Sequence, residues 1–477
     1  MTPANIVEVI RRETVGVRER TALADGAIEI TYGALLDAVD TAGAALQARG
    51  VRPLDRVAFL CEDCADYVVW SLAILRIGAV VVPVSPSLMG DELESVLDRM
   101  DVHALVFDAA AQAREGAVAL PETGCGRGAF ALWRRAARGD LPADYAGLNP
   151  AFIRFSSGTT GTSKGVLLSH ETIIARTDAA DRGLAVTSAD TVIWVLSMSF
   201  HFVVSILLYL RRGASILICR QPFPQSFLEA SQRRRGTLLY AAPFHLHLLA
   251  TSPLVAPESL AGLRLAISTA MKLDRGISEA FERKFGFVPI EAYGIIELGL
   301  PFIGAAREKV GGVGRALPGF EVRIDRPDAG GVGAIRVRGP GMFDAYVSPW
   351  RLRDEALEGG WFDTGDLGRL DADGRLFILG REKQVINFVG TKIFPYEVEE
   401  VLAAHPAVRE SLVYGEPHPA FGQLPCAKVV PADPAAPPDP ADLRDFCRDR
   451  LALHKVPKVF AIADRLERTE SGKIKRG

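Results

Sequence analysis

Long basic runs are missing from this chain of 477 residues, whose formal net charge is −3. Nucleic-acid backbones are bound by clustered Lys and Arg, so no nucleic-acid partner is expected. The short cluster Arg233-Arg234-Arg235 reads as a solvated surface. No apolar stretch reads as the roughly 20-residue span that crosses a bilayer. The nearest candidate, residues 192–210, contains His201 and several serines and stops at Arg211-Arg212, so it reads as a buried strand and helix. The N-terminal stretch carries charges among its apolar residues, which argues against a secretory leader. Cysteines are few, and only Cys61 and Cys64 lie close, as C-E-D-C. No second Cys or His pair follows at zinc spacing. Free thiols in a cytoplasmic protein are the expectation. Internal repeats are also lacking.

What is present suits a folded globular protein: 48% hydrophobic and 24% charged residues, an ordinary balance. Cores rarely grow past about 250–300 residues, so at least two domains are expected. Strand-like and helix-like runs alternate, which predicts an α/β architecture. Thr31-Tyr32 opens a helical pattern ending at Gly50; RVAFL reads as a strand, DYVVWSLAILRIG as a helix and AVVVPVSP as the next strand. That is a β-α-β unit with a parallel sheet. Residues 109–148, rich in Ala, Gly and Arg, read as an irregular connection. Leu238–Ala242 and Leu263–Ser268 read as buried strands. Gly-rich turns between short runs such as EVRID and AIRVRG predict a small antiparallel, barrel-like β region at 310–345. A break at Gly380-Arg381-Glu382-Lys383 predicts a large layered α/β domain over 1–380 and a small α+β domain over 381–477.

The strongest chemical signal is FSSGTTGTSKG at 155–165. Its glycines let backbone approach a polyphosphate, its hydroxyls donate to phosphate oxygens, and Lys164 adds charge. It is not a Walker A loop, which needs Gly at Ser163 and Ser or Thr at Gly165. VLLS after the lysine reads as a strand and not as a helix start.

This segment resembles the phosphate-binding signature of the adenylate-forming superfamily: acyl- and aryl-CoA ligases, luciferases and the adenylation domains of peptide synthetases. Further matches run in order along nearly the whole chain: LAILRIGAVVVPVSP, EAYGIIE at 291–297, GGVGRALPGFEVRI, GWFDTGDLGRL, GREKQVINFVGTKIFPYEVEE and RTESGKIKR. The likeness to acyl/aryl-CoA ligases implies that ATP converts a carboxylic acid to its acyl-adenylate, with release of pyrophosphate. The acyl group then passes to the thiol of CoA or of a carrier-protein phosphopantetheine. By resemblance, Ser156, Ser157, Gly158, Thr159, Thr160, Gly161 and Lys164 hold phosphates, and Glu297 helps hold Mg²⁺, a hard cation suited to oxygen ligands. Tyr293 and Gly294 lie near adenine, Asp366 takes the ribose diol, and Arg381 supports the same nucleotide. Lys473 is the catalytic lysine, Lys383 the hinge of a mobile C-terminal domain, and Val389, Gly390 and Lys392 flank the thiol path.

The acid pocket is expected around His201, Phe202, Val203, Tyr240, Phe244, Ala270 and Met271, a mostly apolar set. His201 stands where amino-acid-activating relatives place an Asp, so a non-amino acid is expected. Thr269-Ala270-Met271 replaces a more glycine-rich stretch, which favours a small or flat acid. Two departures stand out. Ile296 occupies the place of a Thr that contacts the α-phosphate, and isoleucine donates no hydrogen bond. Val389 replaces a frequent Gly beside the thiol path. Other readings are a degenerate member that binds nucleotide without turnover and an adenylating oxygenase of the luciferase type.

Overall fold

The computed structural model describes residues 3–88, 90–126, 128–135, 141–155, 164–220, 222–304, 312–389, 391–468 and 474–476. The expected phosphate-loop residues Ser156, Ser157, Gly158, Thr159, Thr160 and Gly161, with Gly390 and Lys473, lie outside them. The chain forms two compact units. One comprises Met1–Val310, Gly314–Glu321 and Arg338–Gly360; the other comprises Gly311–Val313, Val322–Val337 and Trp361–Gly477. Residues 361–380 thus pack with the C-terminal residues, ahead of the division expected after residue 380.

The first unit is built on two nine-stranded sheets. In one, Arg56–Leu60 pairs in parallel with Val80–Val84, from Arg56 opposite Val80 to Leu60 opposite Val84. Every residue of both strands is buried, as expected where helices cover both faces of a parallel sheet. The crossover is the helix Ala65–Arg76, itself almost wholly buried. It packs beside the helix Tyr32–Ala48, whose first turn is capped by the Thr31 side chain accepting from the amide of Ala34. The β-α-β reading is therefore correct. The connection at 109–148 is less irregular than expected. Phe130–Arg134 forms a strand antiparallel to Ala104–Asp108, because Phe130, Ala131 and Leu132 bury their side chains despite the polar flanks.

In the other sheet of this unit, Ile290–Ile295, Leu265–Ser268, Leu238–Ala241, Thr191–Trp194 and Ser215–Ile218 are successive neighbours. All pair in parallel. The stretch 192–210 is, as expected, a buried strand followed by short helical turns, Met198–His201 and Leu207–Arg211 among them. Among the described residues no helix is long and apolar enough to cross a membrane.

The second unit carries a four-stranded sheet of Glu321–Asp325, Gly333–Arg338, Phe362–Leu370 and Leu376–Arg381. A further sheet holds the long antiparallel pair Val408–His418 and Gly422–Pro431. The helices Pro395–Ala403 and Pro440–Arg448 contribute Val398, Leu402, Leu443 and Cys447 to the apolar core they share with that sheet. The last helix is shorter than the pattern ADLRDFCRDRLALH predicts, ending at Arg448. All six cysteines are free and buried. Cys61 Sγ and Cys64 Sγ lie 3.6 Å apart, within hydrogen-bond reach and not joined by a disulfide. Among the described residues no group of His, Cys, Asp and Glu is arranged to hold a metal ion by itself.

His170 opens the helix His170–Leu184 and is 1% exposed. Its Nδ1 accepts from the backbone amide of Ile6 at 3.1 Å, which requires the neutral ring. Burial lowers its pKa from 6.5 to about 4, and does the same to His245. Below pH 6.5 the unfolded chain therefore binds protons that the native chain refuses, and stability falls with pH. Thermal unfolding should lose up to about 3 kcal/mol per histidine between pH 6.5 and pH 4. His170→Gln should flatten this acid limb in a series of melts; an unchanged limb would remove His170 as its cause.

Candidate active site

Ligands of parallel sheets gather outside the carboxyl ends of the strands, and the expected site residues emerge there. Strand Thr191–Trp194 leads to His201, Leu238–Ala241 to Phe244, Leu265–Ser268 to Ala270 and Met271, and Ile290–Ile295 to Glu297. The first three strands and the last follow one another across a single sheet. In the other sheet, Pro150–Phe155 and Gly165–Ser169 are antiparallel, with Phe155 opposite Gly165. The expected phosphate segment thus joins two strands of a hairpin. The strand after Lys164 is what the sequence predicts, and it separates this loop from a loop-to-helix phosphate site.

Two charged groups and a tyrosine meet beside that hairpin. The Nζ of Lys164 lies 4.9 Å from the centre of the Tyr346 ring. The Tyr346 hydroxyl donates to Glu297 Oε1 at 3.4 Å. Tyr346 is positioned by the strand Ala345–Val347, which pairs antiparallel with Gly165–Ser169, Tyr346 opposite Val166. Burial raises the pKa of Glu297, opposed by its own backbone amide, Arg154, Tyr346 and Arg176. A carboxylate pushed up by burial fits a hard cation: bound metal would remove the desolvation cost.

Arg176 fixes this arrangement. Its side chain is fully buried. It donates through Nη1 to the carbonyl of Ile296 at 3.1 Å and through Nε and Nη2 to that of Gly341 at 3.1 and 2.7 Å. Gly341 has φ +68°, and a Cβ there would meet the Arg176 backbone at 2.5 Å. Nearby, Asp344 accepts from the amide of Ser169 at 2.6 Å and the hydroxyl of Thr172 at 3.0 Å. Gly294 is also required: a Cβ would fall 2.3 Å from the carbonyl of Gly299. Tyr293, the expected adenine neighbour, packs its ring against Phe302 at 6.0 Å.

The expected acid-pocket residues separate into two groups. His201 lies edge-on to Trp194 and Tyr240, each 6.3 Å away, and these two rings stack on each other at 6.0 Å. The Tyr240 hydroxyl donates to Thr269 Oγ1 at 3.5 Å. Ala270 follows with φ +72°, a conformation that glycine adopts without strain. The half-buried Met271 comes next. Phe202 and Val203 instead belong to the core: Phe202 packs against Phe152 and Tyr67. Phe244 is 56% exposed at the start of its helix. The helix Met198–His201 is held by Asp63, whose Oδ1 accepts from the amide of Met198 at 2.7 Å.

In the second unit the structure brings Asp366 and Arg381 together. They are cross-strand partners, and Arg381 Nε lies 3.2 Å from Asp366 Oδ1. Lys383 is exposed in a single turn. Lys392 is exposed opposite Asn387. Val389 adopts φ +50° and is 63% exposed. On either side of Lys473, Arg468 pairs with Ile474. Arg476 grips Glu399 through two hydrogen bonds of 2.8 and 2.7 Å and lies 4.4 Å over the Tyr396 ring.

Sequence reasoning missed Arg154, Arg176, Tyr346 and Asp63. Each sits outside the motif cores, and only the fold brings it to the site. The arginine in AFIRFSSG was visible as a charge inside an otherwise apolar strand, a signal that merited notice.

Comparison with known proteins gives one family. The model for AMP-binding enzymes matches residues 11–347, and the model for the C-terminal domain of AMP-binding enzymes matches 397–473. The chain is 31% identical to a sulfoacetate–CoA ligase of Cupriavidus necator, over 95% of this chain and 92% of that protein. It is 31% identical to a feruloyl-CoA synthase of Amycolatopsis, over 96% and 94%. Among solved structures it is similar to ATP-bound MatB from Rhodopseudomonas palustris, with TM-score 0.84 and 27% identity, covering 99% of this chain and 97% of that one.

Two variants test the local geometry. Arg176→Met leaves the half-buried carbonyls of Ile296 and Gly341 without their donors, and should destabilise the first unit by roughly 2 kcal/mol in urea unfolding. A loss below about 1 kcal/mol would show that neither carbonyl depends on it. Val389→Gly relieves a β-branched residue in left-handed backbone, a strain of roughly 1–2 kcal/mol. Part of that is offset by glycine's greater freedom when unfolded. The variant should gain up to about 1 kcal/mol in the unfolding of the C-terminal unit; a loss would show that the valine side chain makes a contact worth more than the strain.

Proposed function

The chain belongs to the AMP-binding enzyme family, and from that premise we propose that it joins a non-amino carboxylic acid to the thiol of CoA through an acyl-adenylate. The observation that carries this reading is the grouping of Lys164, Tyr346 and Glu297 at the root of the hairpin whose loop has the phosphate-binding sequence. In the first half-reaction an oxygen of the acid attacks the α-phosphorus of ATP. The bond from that phosphorus to the pyrophosphate oxygen breaks, and pyrophosphate leaves. Catalysis here consists of positioning and charge stabilisation. Lys164 and the loop hydroxyls hold the departing phosphates. Glu297 would hold Mg²⁺, which would neutralise phosphate charge. Asp366, braced by Arg381, accepts the ribose hydroxyls.

In the second half-reaction the thiol sulfur attacks the acyl carbon, and AMP leaves. Lys383 is the proposed pivot between the two halves. Lys473 serves adenylation, and Val389, Gly390 and Lys392 serve the thiol. Carrier-protein phosphopantetheine is the alternative acceptor. The need for ATP and CoA fits a cytoplasmic enzyme.

For the acid, the rings of Trp194 and Tyr240 and the imidazole of His201 offer flat apolar walls. The Cβ of Ala270 adds bulk where glycine would leave room. This supports a flat aryl or short acid. Relatives named for feruloyl, 4-coumarate and 3-hydroxybenzoate substrates agree in kind.

The deciding experiment offers the protein ATP, Mg²⁺ and a panel of aryl and short aliphatic acids, with pyrophosphate release followed with and without CoA. At least one acid should support release, and CoA should convert that acid to a thioester. Lys473→Ala should lower adenylation by 10²-fold or more while sparing transfer from a supplied acyl-adenylate. If no acid supports release although ATP binds, the nucleotide-binding reading without turnover replaces this one.

A further inference from the structure

Arg154 is the second-last residue of the strand that runs into the phosphate segment. Strand alternation points it away from the layer covered by Ile153, and its guanidinium lies 5.2 Å over the ring of Phe200. Phe200 immediately precedes His201 on the helix Met198–His201. Arg154 also interacts electrostatically with Glu297, Arg176 and Tyr67. It therefore neighbours both Glu297, the expected metal position, and Phe200, which adjoins the expected acid-pocket residue His201.

Three other buried arginines use their donors. Arg176 holds two carbonyls. Arg56 holds the carbonyl of Met100 and the Tyr145 hydroxyl. Arg211 binds Glu13, Thr177 and the carbonyl of Ile174. The Nε of Arg154 is buried without a hydrogen-bond partner among the described residues, and its guanidinium forms no ion pair within 4 Å of a described acid. Burial lowers its pKa only to about 10, so the group is a cation at neutral pH. A half-buried cation whose Nε is buried and idle is costly in the native state, which is expected where a ligand anion completes the contact.

Ile296 supplies the complementary observation. Its side chain stands where a hydroxyl donor to the α-phosphate is expected, and it offers none. Its backbone carbonyl is already held by Arg176, so the turn cannot shift to bring another donor cheaply. On the reading that this chain is an adenylating enzyme, we propose that the Arg154 guanidinium binds the α-phosphate and takes over the contact that Ile296 cannot make. Arginine suits the task because its fork presents two parallel donors to two phosphate oxygens. Charge on those oxygens rises as the acid oxygen adds to phosphorus, so the contact strengthens in the transition state.

The test needs no knowledge of the acid. Affinities for AMP and for adenosine, measured by calorimetry on the full chain, isolate the α-phosphate contribution. Arg154→Met should lower AMP affinity by about 10- to 100-fold and leave adenosine affinity unchanged. Ile296→Thr in the Arg154→Met background should recover part of that loss by restoring a donor. An unchanged ratio of AMP to adenosine affinity overturns the proposal, as does failure of Ile296→Thr to recover any of it. If Arg154→Met does not fold, Arg154→Gln provides the same ratio, with a smaller loss expected. A wild-type protein that binds neither ligand overturns the nucleotide reading itself, which is a different result from a ratio that does not move.

Discussion

One buried guanidinium organises the candidate site of the first unit. Arg176 lies in the helix that follows the phosphate hairpin, and it ties together two turns more than 40 residues apart, through the carbonyls of Ile296 and Gly341. A buried carbonyl without a donor costs about as much as a lost hydrogen bond, so neither turn can move independently of the helix. The consequence is functional. Glu297 follows the first carbonyl and Tyr346 follows the second, so one cation sets the distance between the acid and the tyrosine that donates to it. Gly341 in left-handed backbone permits the close approach, since any side chain there would collide with the helix.

Charge balance in this region is deliberate in its physics. Glu297 is pushed toward its neutral form by burial, while Arg154 and Arg176 are pushed toward theirs. The attraction between Glu297 and each arginine opposes these shifts, while the two arginines repel each other. Electrostatic interactions gain strength where water is excluded, which is the condition that phosphoryl-centre chemistry needs. The same reasoning explains why the hairpin itself needs no helix dipole. Its side of the site is provided by a lysine braced against an aromatic ring, with the tyrosine hydroxyl passing the polar contact onward to Glu297.

Much of the fold was legible because its signals are local. The strands RVAFL and AVVVP are continuous apolar runs, and the helix between them is long enough to cross over a sheet. Phe130–Arg134 was not legible, because a five-residue strand in an Ala-, Gly- and Arg-rich stretch has little periodicity of its own and is formed by pairing with Ala104–Asp108. Likewise, the side chain of Phe202 follows His201 in sequence yet turns into the core against Phe152 and Tyr67. A short helical turn places neighbouring residues on different faces, and only packing decides which face meets the pocket.

The amino-acid order alone pointed to the family and the chemistry class, through motifs that resemble the family's in order along nearly the whole chain. It also exposed the missing hydroxyl at Ile296 and the valine at 389, both being substitutions of residue type. Tertiary structure decided which charges share a site. Arg154, Arg176, Glu297 and Tyr346 span nearly 200 positions, and their interaction depends on strand order and register, which arise from burial summed over whole sheets. It also decided the backbone conformation that Val389 and Ala270 must adopt. No run of neighbours encodes such long-range pairings, because the free energy that selects them is collective.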